Sequence, residues 1–144
     1  LRPRRSRCRV CRATHVLTPT STLARRRDAI EVIGAALIAK LAGHGYRRTA
    51  AQLGMPASTV RGWRRRFASR AEQLGRDATV ALYQLDGGHP PVRSRGSPFA
   101  DALETLGLAA AAAIRRFGPA RSSWHAVAAL TGALMLAPQP SRPL

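Results

Sequence analysis

Ser58, Arg61 and Arg65 stand three and four residues apart in the stretch GYRRTAAQLGMPASTVRGWRRRF, residues 45–67. At about 100° per residue they share one helix face with Gly62, opposite a stripe of Val60, Trp63 and Phe67. A hydroxyl and two guanidinium groups on one face suit recognition chemistry. The planar fork of arginine pairs with two acceptors at once, such as O6 and N7 of guanine, and short residues in a first turn allow close approach. Ser58, Arg61 and Arg65 are therefore assigned to base edges. Arg64 and Arg66 flank the apolar stripe on either side, and with Arg47 and Arg48 they suit phosphate oxygens, a contact that gives affinity and salt dependence without sequence information.

Cys8 and Cys11 offer a second chemistry. Their C-x-x-C spacing lets two thiolates reach one tetrahedral zinc ion, but two ligands fill only half of such a site. His15, four residues after Cys11, and His44, in a separate turn, add no ligand signature. The alternative is a pair of incidental thiols. A thioredoxin-like redox pair would need a surrounding βαβ pattern, which is missing here.

Catalysis finds no constellation to carry it. A two-metal DDE site needs three carboxylates on a mixed sheet, and no run of strands is present. Of the seven acids, Asp28 and Glu31 fall at one expected helix start and Asp101 and Glu104 at another, where negative charge favours the helix dipole. Ser123 and His125 form no G-x-S-x-G or Cys/His arrangement. The expectation is a protein that is not an enzyme and has no cofactor, save zinc at the cysteine pair if an upstream ligand pair exists.

The elements that must position these residues follow from periodicity. Ile30, Ile33, Gly34, Leu37, Ile38 and Leu41 mark one face of a first helix, over residues 23–42, stopped by the Gly43–Gly45 turn. A short second helix is expected over 47–53, a turn over 54–56, and a third helix from 57 towards 74 or 75. Two crossing helices need a small residue at the crossing, a turn residue tolerant of positive φ, and apolar residues on the inner face of the second. Ala50, Gly54 and the set Val60, Trp63 and Phe67 meet those needs, with Leu53 and Met55 as plugs on either side of the glycine. Ser97-Pro98 starts and Gly118-Pro119 stops a helix over 98–117, and Ser122 or Ser123 caps another running to about 136. Residues 109–113 and 126–133 then form a small-residue seam between the two.

The stretch TAAQLGMPASTVRGWRRRF resembles the helix-turn-helix of bacterial transposases and related homeodomain-like DNA-binding proteins. The resemblance spans about 20 residues, or residues 23–75 if the first helix opens a three-helix domain. It implies binding to double-stranded DNA by a transposon-derived or transposase-like protein. A transcriptional regulator with the same domain, or a non-catalytic fragment of a larger DDE transposase, is the alternative. A module whose basic face meets RNA or an acidic protein is the rival from another class. Zinc-ribbon transposases carry a C-x-x-C knuckle before the helix-turn-helix, paired with another upstream; by resemblance Cys8 and Cys11 are one half of a ribbon. A chain beginning at Leu1 agrees with an upstream half outside it.

Charge points the same way. The net charge is +17, and of 24 basic residues only Lys40 is a lysine. Residues 1–76 carry a net +15 and residues 77–144 only +2, so the surface for a polyanion lies in the first half. The longest uncharged stretch, 122–141, is broken by glycine and proline and falls short of the roughly 20 apolar residues of a membrane span. The expected fold is all-α. It has an irregular basic arm with the half knuckle (1–22), a helix-turn-helix domain (23–75), a linker (76–97) richest in glycine and proline after residue 84, a helical hairpin (98–137) and a Pro-rich tail (138–144). The hairpin either packs on the first helix or forms a homodimer face. The expected location is cytoplasmic, with the nucleoid.

Overall fold

The computed structural model describes residues 4–17, 22–23 and 28–137; the Pro-rich tail at 138–144, the first three residues and the side chain of His15 lie outside the described residues. The described chain is mainly helical. Its N-terminal arm is not irregular as expected. Arg4–Arg7 (β1) and Thr14–Leu17 (β2) pair antiparallel, with Arg7 opposite Thr14. β-branched Thr14 and Val16 favour an extended chain, and residues 8–13 form the turn.

Six helices follow among the described residues: α1 (Ile30–Leu41), α2 (Tyr46–Leu53), α3 (Ala57–Ala68), α4 (Ala71–Leu85), α5 (Pro98–Phe117) and α6 (Ser123–Leu130). The first three are the expected three-helix unit. α1 is shorter at its start than the sequence suggests, because Thr22 and Ala29 form an isolated antiparallel bridge before it opens. Leu23, directly after Thr22, is fully buried.

The third helix does not run on to residue 75. It ends at Ala68, where the amide of Arg70 turns back to the carbonyl of Phe67 at 3.0 Å and Ser69 Oγ donates to the carbonyl of Arg66 at 2.9 Å. α4 then restarts and continues through the first ten residues of the expected linker, burying Ala71, Leu74, Ala78 and Leu82 on one stripe. Only residues 86–97 connect as coil.

α5 begins and ends as its sequence signals. Ser97 Oγ accepts from the amide of Ala100 at 3.2 Å, Pro98 occupies the first turn, and Gly118 leaves the helix at φ 96°. Its main partner is α4 rather than α6: Ala109 and Ala112 pack with Leu82, while Ala110 belongs to the same cluster as Ala126. Small residues on both helices explain the close pairing, since Gly75 lies directly against Ala102. α6 is capped by Ser122 and stops at Leu130. Gly132 and Ala133, both at positive φ, then turn the chain so that Met135 and Leu136 return to the core.

One hydrophobic core joins the two halves. Phe67 of α3 meets Phe99 of α5 edge to face, centroids 4.7 Å apart, and Trp124 of α6 lies directly on Gly34 of α1. The C-terminal helices thus pack into the core, the first of the two roles open to them. Among the described residues no helix is long and apolar enough to cross a membrane.

Candidate nucleic-acid interface

The interface is built on the turn between α2 and α3. Gly54 sits at φ 63° and ψ 31°, and the amides of Met55 and Gly54 return to the carbonyls of Ala50 and Ala51 at 2.9 and 3.3 Å. That pair of bonds is the Schellman ending, which requires a left-handed residue and so favours glycine. Ala50 is buried at the crossing. Leu53 and Met55 are half-buried against the core, as plugs should be.

On α3 the sequence pattern sorts the side chains. Val60, Trp63 and Phe67 are buried, anchoring the helix, whereas Ser58, Arg61 and Arg65 are all exposed on the other side. Together with Tyr46, Arg47, Ala57 and Gly62 these three line an open cleft of about 450 Å³ between the start of α2 and the outer face of α3. Tyr46 is the floor. The guanidinium groups of Arg47 and Arg61 each lie 5.9 Å from its ring centre, within cation–π range, so one aromatic residue links a phosphate candidate to a base candidate. Tyr46 carried no signal in the sequence beyond being an aromatic among arginines.

The four phosphate candidates divide. Arg47 and Arg48 are exposed on α2. Arg66 is half-buried, its guanidinium laid across Gly62: a Cβ there would come 3.1 Å from Nη2. Glycine at 62 makes room for that arginine on the outer face.

Arg64 is the exception and corrects the sequence reading. Only 8% exposed, it points inward and donates through Nε to the carbonyl of Ala36 (3.1 Å), through Nη1 to that of His44 (2.8 Å) and through Nη2 to Thr49 Oγ1 (2.7 Å). Thr49 in turn donates to the carbonyl of Gly45 at 3.1 Å. One side chain on α3 thereby ties α1, the α1–α2 turn and α2 together. Burial pulls its pKa below the ordinary arginine value, but a guanidinium keeps its proton in proteins. The reason lies in spacing: residues 60, 63, 64 and 67 are the i, i+3, i+4, i+7 set of a buried stripe. That signal was present in the sequence, masked by the run of arginines around it.

Two further groups of chemistry-bearing residues lie outside this face. Cys8 and Cys11 are free, at the tip of the β1–β2 hairpin, Cys8 half-buried and Cys11 exposed. Ser122, not Ser123, meets His125, together with Glu31: Ser122 Oγ lies 2.8 Å and Glu31 Oε1 2.9 Å from the same ring nitrogen, Nδ1. A triad needs nucleophile and acid on opposite nitrogens of the imidazole. Here Nε2 is buried without a partner, so the cluster clamps the start of α6 to the first turn of α1.

Residues 22–75 match the family model of the homeodomain-like domain. No curated protein and no solved structure matches the chain. The matched segment takes in α1, α2 and α3 and the first turn of α4, a helix-turn-helix of the homeodomain-like, DNA-binding type.

Proposed function

We propose that the protein binds double-stranded DNA selectively, with α3 in the major groove. In this reading Ser58, Arg61 and Arg65 meet base edges, while Arg47, Arg48 and Arg66 hold the phosphates on either side. The observation that carries it is the division of α3 into two faces. One is fixed in the core by Val60, Trp63, Arg64 and Phe67, and the other presents two exposed arginines and a serine beside the exposed arginines of α2.

Arg64 no longer counts among the phosphate ligands, and its buried clamp supports the reading differently. A recognition helix held against two others at fixed angles places its outer side chains reproducibly. The protein on this account is a DNA-targeting, transposon-derived one that acts with the nucleoid. A regulator using the same domain would bind DNA in the same way and differ in where its sites lie.

Selection from a random duplex pool at physiological salt tests the reading. The expected result is an enriched site that Arg61→Ala no longer enriches, with about 1–3 kcal/mol of discrimination lost at the base it contacts. Equal binding of all sequences by both proteins would contradict it.

A further inference from the structure

Tyr46 opens α2 and is anchored on both sides in the chain. Before it, the carbonyl of His44 accepts from Arg64 Nη1 at 2.8 Å, and the carbonyl of Gly45 accepts from both the amide and the hydroxyl of Thr49, each at 3.1 Å. After it, Arg64 Nη2 fixes that same Thr49 hydroxyl from the core side at 2.7 Å. The Tyr46 side chain is half-buried and packs against the hydrophobic core. An anchored backbone and a packed ring make a rigid platform.

The side chains above that platform are held by little else. Arg47 and Arg61 are exposed, and none of the ion pairs among the described residues includes either of them. A long exposed side chain without a fixed partner samples several rotamers, and ordering it on binding costs free energy. Each guanidinium carbon lies 5.9 Å from the centre of the Tyr46 ring. Tyr46, Arg61 and Arg65 line both clefts on this face, of about 450 and 460 Å³, and no carboxylate lines either of them. The negative face of the ring is therefore the attractive surface that these cations have here.

We propose that Tyr46 is a positioning residue for sequence reading: its ring holds the Arg61 guanidinium aimed at the base edge, with Arg47 kept beside it for the phosphate. The inference rests on the reading of the exposed α3 face as the one that meets DNA bases. It adds that the selectivity of α3 depends on an aromatic side chain of α2. The gain is preorganisation, since an arginine already ordered on the ring pays less to pair with its base. A cation–π contact at an exposed site corresponds to about 2- to 5-fold in affinity. The ring carries the contact, and the phenol hydroxyl takes no part in it.

The test compares the parent, Tyr46→Phe, Tyr46→Leu and Tyr46→Met on a duplex enriched from a random pool and on its scrambled counterpart, with circular dichroism of each protein alongside. Tyr46→Phe should keep the ratio of the two affinities. The Leu and Met variants should lower it about 2- to 5-fold with the helical signal unchanged. In an Arg61→Ala background the same substitutions should leave the ratio where it is, because no base-reading arginine remains for the ring to orient. In the free protein the side-chain proton resonances of Arg61 should move in the Leu and Met variants and not in Tyr46→Phe, a ring-current signal that needs no DNA. A selective parent whose ratio survives the Leu and Met substitutions would overturn the proposal and leave the DNA reading standing. A ratio lost equally in Tyr46→Phe would overturn it too, by making the hydroxyl the contact. A parent that prefers neither duplex would overturn the DNA reading and this proposal with it.

Discussion

Adjacent on α3, Arg64 points into the protein and Arg65 out of it, and their substitution should separate stability from recognition. Arg64→Ala leaves two carbonyl groups and the Thr49 hydroxyl without their donor in a buried setting. Chemical denaturation should show a loss of roughly 3 kcal/mol. Arg64→Lys keeps the charge but cannot reach three divergent acceptors, so it should recover only part of that loss. Arg65→Ala, on an exposed position, should stay within about 0.5 kcal/mol of the parent. A pair of substitutions with equal effects on stability would refute the division of the two residues.

At the scale of elements, the α2–α3 turn depends on one backbone conformation. A Cβ at Gly54 meets no neighbouring atom, so only its left-handed φ resists substitution. Gly54→Ala should therefore cost about 1–2 kcal/mol in a melting experiment. A substitution without effect would mean that the turn tolerates another geometry. This turn, the inner stripe of α3 and the caps of α5 and α6 were legible in the sequence, because each rests on a local rule: glycine at positive φ, apolar residues at helical spacing, serine before proline. The break between α3 and α4 was not. Phe67, Ala71 and Leu74 keep the helical period across Ser69 and Arg70, and neither glycine nor proline interrupts them. The pairing of α5 with α4 rather than α6 was also hidden, since both neighbours offer alanine-rich faces and only the three-dimensional packing selects one. The inward turn of Arg64 was readable from its place in the stripe but was outweighed by its charge.

For the whole molecule, the homeodomain-like segment and the C-terminal helices share one core. Phe67 relies on Phe99, and α1 relies on Trp124 where Gly34 leaves room for the indole. A Cβ at residue 34 would fall 2.0 Å from Trp124 Cε2, so Gly34→Ala must displace the indole. The expected result is a loss of at least 1–3 kcal/mol and a red-shifted indole emission, absent when Trp124 is replaced by Phe in the same background. A chain ending at residue 75 would expose Phe67, Ala71 and Leu74 and should melt without a cooperative transition. A sharp transition in that fragment would show that the C-terminal helices are an appendage.

In the proposed complex the exposed face of α3 reads sequence while the arginines of α2 supply charge. The most direct measurement is the salt dependence of binding to a selected duplex and to a scrambled one, for the parent, Arg61→Ala and Arg47→Ala. The account predicts that Arg61→Ala brings the two duplexes towards equal affinity. Arg47→Ala should weaken both alike and reduce the slope of log affinity against log salt by about 1. If Arg61→Ala weakened both duplexes equally and kept their ratio, α3 would be a charged surface and not a reading helix.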